Sequence, residues 1–328
     1  VTSSFVTRFD FRLPGVGRAE RAEFYARALD IASYVEESGD IAIIVSEHHA
    51  SDDGYLPSPL VLASAIAART RTVPIQVAAL LVNLHDPLRM AEDMAVLDLV
   101  SGGRVSYTVG LGYREEEYAM FDRPWSSRGR DLDRNLRAIL DAWTGEPFSY
   151  EGRTVRVQPT PASTPLVFVG GGSPAAARRA ARFGLGFAPQ VRDPELKEIY
   201  QQACRDLGRE PGWFYQPPRG PASVFVTDDP DAWWDAYGHL LLADAQAYAA
   251  WQTDSHHHVI DRSSSVGELR AAGRHVVVTP DEAIARCNSG EWPVITSHPL
   301  CGGLPPEPGW ESLRLLREVV RPALASLG

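Results

Sequence analysis

Short, nearly uniform apolar runs alternate along this chain with longer stretches in which apolar residues recur every three or four positions. The first kind is how a strand buried on both faces reads, and the second is one face of a helix. The pattern predicts strands over 5–11, 41–46, 74–82, 104–109, 166–169, 185–188, 222–226 and 294–297. It predicts helices over 20–38, 60–69, from Asp86-Pro87 to about Val100, and over 130–143, 174–183, 194–207, 231–251 and 310–324. In the first helix Phe24, Ala28, Ile31, Ala32 and Val35 share a face, and Gly39 closes it. Ser58-Pro59 and Asp86-Pro87 each offer a capping side chain followed by a proline in the first turn. The segment 148–157 reads as a hairpin turning at Glu151-Gly152.

Strand followed by helix, repeated eight times, means a parallel sheet, and eight such units close into a (β/α)8 TIM barrel of the α/β class. An open doubly wound sheet seldom holds eight consecutive parallel strands. The barrel carries insertions after strand four, the hairpin, and after strand seven, an excursion over 252–289 with little periodicity. No Gly/Ser-rich or Pro-rich linker divides the chain, so 1–328 is read as one domain. A hydrophobic fraction of 44% with 23% charged residues supports a sizeable core and excludes a disordered, collagen-like or disulfide-stapled chain. A formal charge of −10 argues against nucleic acid or an anionic membrane as partner. Cys204, Cys287 and Cys301 lie far apart without a CxxC, as in a reducing compartment. The first residues lack the pattern of a signal peptide and no long apolar run is present, so a cytoplasmic protein is expected.

In such a barrel the active site is built from the loops that follow the strands. Strand two runs into Glu47-His48-His49, strand three into Asn83-Leu84-His85 and strand four into Gly110-Leu111-Gly112-Tyr113. Strand five runs into Gly170-Gly171-Gly172-Ser173 and strand eight into His298-Pro299-Leu300. A carboxylate beside two imidazoles can set a tautomer, shuttle a proton or ligate a metal. Only alternate strand residues share the pore, and a lone strand-end histidine is more often simply hydrogen-bonded at the rim. His85, His298 and the His256-His257-His258 tract offer further imidazoles. No HxH lies on strand one and no acidic ligand stands at strand eight, so metal is a minor alternative. Three glycines before Ser173-Pro174 let the backbone approach an anion at a helix start, where a plain turn needs one. No Gly-Lys-Ser/Thr follows, so this is not a P-loop, and Gly110-Leu111-Gly112 lacks the third glycine of a dinucleotide fingerprint. Together with Ala78-Ala79 it leaves room for a flat ligand.

These segments resemble the bacterial luciferase-like monooxygenase family of flavin-using (β/α)8 barrels. The resemblance runs from Glu47-His48-His49 through 77–81 and the string Asp86-Pro87-Leu88-Arg89-Met90-Ala91-Glu92-Asp93. It continues through 97–104, Gly110-Leu111-Gly112 and 170–174 to 298–306, and is poorest over 252–289. It implies that His48 is the acid/base near the flavin, with the ordinary histidine pKa of about 6.5, and that Glu47 orients the structure beside it. Ala78-Ala79 matches a non-prolyl cis peptide beneath the isoalloxazine, with Gly110 and Tyr113 beside the ring. Gly170, Gly171, Gly172 and Ser173 match the segment that holds the flavin phosphate. An arginine that some relatives place in the strand-four loop is Leu111 here, leaving Arg178 or Arg114 to replace it.

The activity implied is that of an FMNH2-using monooxygenase, supplied by a flavin reductase, which forms a C4a-peroxyflavin with O2 and oxidises a small organic substrate. Alternatives are an F420-dependent hydride-transfer oxidoreductase and a non-catalytic flavin-binding protein. Phe9, Phe11, Tyr113 and Trp125 as pocket walls favour an apolar or aromatic substrate. The resemblance also implies a homodimer packed through helices two and three, where Leu60, Leu62, Ile66, Met90, Met94 and Leu97 exceed what one face requires.

Overall fold

A computed structural model describes residues 3–251 and 261–325. Seven parallel strands form its main ladder: β1 (Ser4–Phe9), β2 (Ala42–Val45), β3 (Ile75–Leu80), β4 (Val105–Val109), β7 (Leu166–Gly170), β8 (Gly186–Ala188) and β11 (Val294–Ser297). They hydrogen-bond in the order β11-β1-β2-β3-β4-β7-β8. A hairpin, β5 (Phe148–Tyr150) and β6 (Arg153–Val155), turns through Glu151 and Gly152 at positive φ, as its sequence predicts. β9 (Ser223–Val226) pairs in parallel with β10 (His275–Val278) and lies against β11. This is the (β/α)8 arrangement, with the ladder interrupted beyond β8. There Phe187 N donates to Trp213 O (2.9 Å) and Tyr215 N donates to Phe187 O (3.0 Å).

The helices are α1 (Arg18–Glu37), α2 (Pro59–Arg69), α3 (Pro87–Ser101), α4 (Glu115–Met120), α5 (Arg128–Ala142), α6 (Pro174–Phe183) and α7 (Pro194–Asp206). The C-terminal part adds α8 (Pro230–Trp251), α9 (Val266–Ala272), α10 (Pro280–Asn288), α11 (Pro306–Leu315) and α12 (Arg321–Ala325). Asp86 caps α3 by accepting from Leu88 N (2.9 Å) and Arg89 N (3.1 Å), and Gly102 ends it at φ +66. Ser58, expected to cap α2, makes no side-chain cap bond; Pro59 alone marks that start. No helix among the described residues is long and apolar enough to cross a membrane.

The segment expected as an irregular excursion instead carries α9, β10 and α10. Thr279 and Glu282 close a capping box at the start of α10. The His256–His258 tract lies outside the described residues. The apolar residues expected at a dimer face are mostly core: Leu62, Ile66, Met90, Met94 and Leu97 are buried, and only Leu60 is partly exposed. The apolar side chains that α2 and α3 do expose are Val61, Val96, Leu99 and Val100.

Candidate active site

One cavity of about 730 Å3 opens where β1 to β4, β7 and β8 end, within the roughly 300–1,000 Å3 of small-molecule and cofactor sites. The residues put forward from the sequence for catalysis, for the ring and for the glycine-rich phosphate segment line it: Glu47, His48, Ala78, Ala79, Gly110, Tyr113, Gly170, Gly171, Gly172 and Ser173. β2 stops at Val45, so strand alternation no longer governs Glu47 and His48, and both reach the cavity. His49 turns away, packing against Phe121 at 4.8 Å.

His48 is held at both ring nitrogens. Its Nδ1 lies 2.8 Å from Glu117 Oε1 and its Nε2 lies 2.9 Å from the Tyr113 hydroxyl. The same Glu117 oxygen accepts from His49 N (3.0 Å). A carboxylate accepts only from an N–H, so Glu117 selects the Nδ1–H tautomer and leaves Nε2 to accept from Tyr113. Burial lowers the His48 pKa from its ordinary value; Arg114 and Arg12 push the same way, and Glu117 pulls against them. The imidazole therefore rests neutral at neutral pH, where the sequence alone assigned it an ordinary value.

Glu47 braces the opposite side. Its Oε1 accepts from His49 Nε2 (2.8 Å) and His85 Nε2 (2.9 Å), and its Oε2 accepts from Leu81 N (2.6 Å). Burial alone would raise its pKa, but these hydrogen bonds hold the carboxyl below its ordinary value. Leu81 lies just beyond an irregularity in β3, where Ala78 pairs with Thr108 and Leu80 with Val109. The Ala78–Ala79 peptide is cis, and the two methyl-bearing residues face the cavity together. A Cβ added at Gly110 would lie 3.0 Å from Ala79 Cβ, so this floor is flat and closely fitted.

The glycine-rich segment ends β7. Gly171 sits at φ +125, open only to glycine, and a Cβ at Gly170 would meet Thr108 Cγ2 at 3.0 Å. Ser173 accepts from Ala176 N (3.3 Å) and Pro174 opens α6, so the positive end of that helix borders the cavity. The arginines that line the cavity are Arg8, Arg128 and Arg179. Arg179 pairs with Asp133 (2.5 Å), and the Arg128 guanidinium lies 3.8 Å over Trp125. Neither expected substitute is among the residues lining the cavity: Arg178 is exposed, while Arg114 is buried, bonding His49 O and Ala50 O and stacking on Trp251.

The expected aromatic walls are also corrected. Phe9 and Phe11 are packed in the core and Trp125 packs against Tyr118, all outside the cavity; Tyr55, Tyr215 and Tyr248 join Tyr113 in lining it. Among the described residues two groups place three ligand-type atoms within 4.8 Å of one another, Glu47–His49–His85 and Asp10–His298–Cys301. In the first, both carboxylate oxygens already accept hydrogen bonds. In the second, Asp10 meets His298 (3.2 Å) within the reach of the Arg8 and Arg12 charges, which oppose a cation. Sequence reasoning missed Glu117, Arg128 and Arg179; the run Glu115-Glu116-Glu117, soon after Tyr113, was the available signal for the first.

The sequence profile of the luciferase-like monooxygenase family matches residues 7–287, and the chain belongs to that family. It is 28% identical over 183 residues to the F420-dependent glucose-6-phosphate dehydrogenase of Amycolatopsis mediterranei, covering 52% of this chain and 55% of that one. The chain spans about half the length of several curated relatives that it matches, 38%, 48% and 55% for three of them. The fold is shared with the monooxygenase RslO1 from Streptomyces bottropensis, with a TM-score of 0.76 at 24% identity over 97% of this chain and 99% of that one. It is also shared with the oxygenating constituent of 3,6-diketocamphane monooxygenase from Pseudomonas putida, solved in complex with FMN. There the TM-score is 0.69 at 18% identity, over 98% and 99% of the two chains.

Proposed function

We propose that this protein is a monooxygenase that uses reduced FMN, delivered by a separate reductase, and O2 to oxidise a small organic substrate. The observation that carries the reading is the meeting, in one cavity, of a glycine-rich anion loop, a flat floor at Ala78–Ala79 and a neutral, tautomer-fixed His48. These residues fit the cofactor. Gly171, Gly172, Ser173, Arg128 and Arg179 would hold its phosphate, and Ala78, Ala79 and Gly110 would bear its ring.

Reduced FMN, when bound, supplies the electrons that activate O2. The chain does the rest. Glu47 fixes the turn beyond the cis peptide through Leu81 N, so the floor keeps its shape. His48 takes or returns one proton at Nε2, where Tyr113 is already hydrogen-bonded, and Glu117 keeps Nδ1 protonated throughout. The tyrosines exclude water from that exchange. The FMN complex of a protein with this fold supports the cofactor assignment.

The F420-dependent relative supports a second reading, hydride transfer without oxygen. Cys204, Cys287 and Cys301 are buried free thiols, which fits the reducing cytoplasm. The exposed Val61, Val96, Leu99 and Val100 fit a homodimer face on α2 and α3.

Anaerobic fluorescence titration with FMN, FMNH2 and F420, followed by oxygen uptake with a supplied reductase, tests the assignment. His48→Ala is expected to keep FMN binding while flavin-dependent turnover falls on the order of 10²-fold, as for a lost acid/base. Unchanged turnover would remove His48 from the mechanism. Binding of F420 alone would favour hydride transfer, and FMN binding without any turnover would favour a flavin carrier.

A further inference from the structure

We infer that Arg8 is a substrate-recognition residue, and that the substrate it selects carries a carboxylate. This rests on the oxygenase reading for what fills the remainder of the cavity. On β1 the odd positions face the helices: Thr7 bonds Asp40 (2.7 Å) and Phe9 is wholly buried in the core. The even position Arg8 faces inward and lines the cavity with Gln76, Tyr55 and Tyr248.

Its guanidinium is short of partners. Nε is buried with no hydrogen-bond partner among the described residues. The acids that act on its charge are ion-paired elsewhere, Asp10 with His298 (3.2 Å) and Asp244 with Arg12 (2.8 Å), by contacts that lack hydrogen-bond geometry. Those acids offset part of the Arg8 charge at a distance, but they do not occupy its donors. Burying guanidinium donors without acceptors is costly, and a ligand carboxylate removes that cost with two parallel N–H···O bonds.

Position separates this group from the flavin's phosphate end. In the ladder β1 is divided from β7, which carries the glycine-rich segment, by β2, β3 and β4. The cavity therefore has two anion-receptive ends, with the flat floor on β3 between them. Beside Arg8 the Tyr55 and Tyr248 hydroxyls lie 2.9 Å apart. One donates to the other, and Ser46 also hydrogen-bonds the Tyr55 hydroxyl, so this end of the cavity is polar as well as aromatic. Tyr55 packs edge-on against His48, with ring centroids 4.8 Å apart, so a molecule held at Arg8 extends past the proton-carrying imidazole. Tyrosine walls suit an aromatic or unsaturated body. The class is thus a small aryl or unsaturated carboxylic acid.

The probes are benzoate and phenylacetate against their neutral amides, titrated into FMN-loaded protein and followed by flavin absorbance and calorimetry. Wild-type protein should bind at least one acid about tenfold or more tightly than its amide, as for a charged hydrogen-bonded pair. Arg8→Met should abolish that preference and leave FMN affinity unchanged, while Arg8→Lys keeps part of it and shows that the fold tolerates the position. Absence of a preference in wild-type protein, or its survival in Arg8→Met, overturns the inference. Equal loss of FMN and acid binding in Arg8→Met also overturns it, because Arg8 would then serve the flavin. If FMN does not bind at all, calorimetry on the unloaded protein still reads the acid preference, so failure of the oxygenase reading is separable from failure of this one.

Discussion

Replacing Glu117 by Gln removes one negative charge and leaves the side chain's size unchanged. Glu117 is fully buried, and its Oε1 takes the His48 Nδ1 contact at 2.8 Å and the His49 N contact at 3.0 Å. A hydrogen bond to a charged group is worth about 1.5–3 kcal/mol, which corresponds to a factor of roughly 10 to 150 in the balance between cationic and neutral His48. The sign follows from the opposing influences. Burial, Arg114 and Arg12 all disfavour the cation, and Glu117 alone among the main influences favours it. Without that charge, the His48 titration moves further below its already lowered position. Because folding depresses this pKa, His48 contributes stability that is present above the unfolded value of about 6.5 and is lost as pH falls through the folded one. In Glu117→Gln the loss still begins below that unfolded value, but it extends to lower pH and is larger in total. Histidine 15N–1H spectra across a pH series, with His48→Asn to assign the signals, read both the midpoint and the tautomer without needing a substrate. An unmoved or raised midpoint, or a wild-type resonance protonated at Nε2 rather than Nδ1, would refute the reasoning.

Two other perturbations test the surroundings. Gly110→Ala places a methyl 3.0 Å from Ala79 Cβ, where carbons prefer about 3.5–4.0 Å. Overpacking of this kind costs about 1–3 kcal/mol, so FMN affinity by fluorescence titration should fall about fivefold or more; an unchanged affinity would show that the ring lies elsewhere. Val61, 72% exposed, is the most exposed apolar residue of the α2–α3 face. Val61→Glu should convert a dimer to a monomer in sedimentation equilibrium, and a monomeric wild-type protein would end the dimer reading.

The parts of the fold legible in the sequence are those with local punctuation. Asp86-Pro87 and Ser173-Pro174 open helices, and Gly102 and Gly184 close them in the left-handed conformation. These signals act within one turn, so no tertiary context is needed to read them. What escaped is short or set by context. β10 has four residues and α4 has six, too few to display a period. β1 ends two residues before the predicted strand does, because the chain turns away at Phe11 with φ +63, a conformation that a phenylalanine does not announce. The capping box of Thr279 and Glu282 did announce α10, but it was submerged in a stretch otherwise poor in pattern.

The site divides along the same line. Residues immediately after strand ends were legible because a parallel barrel brings all such ends to one face, whatever their separation in sequence. Glu117 stands 69 positions from His48 and reaches it from a helix, so only the folded chain joins them. The aromatic walls failed for a different reason, and β1 shows it. Phe5, Thr7 and Phe9 occupy one parity and Val6, Arg8 and Asp10 the other, so apolar and polar positions largely alternate. The layer between strand and helices is dry and closely packed, and it takes the rings. The inner face takes the charges only because it borders a cavity that water or a ligand occupies. Phe9 and Arg8 could not both face inward, and the guanidinium was the residue that burial in a dry layer would penalise more. The polar parity of the first strand, rather than its phenylalanines, was therefore the sequence-level sign of where a ligand meets this barrel.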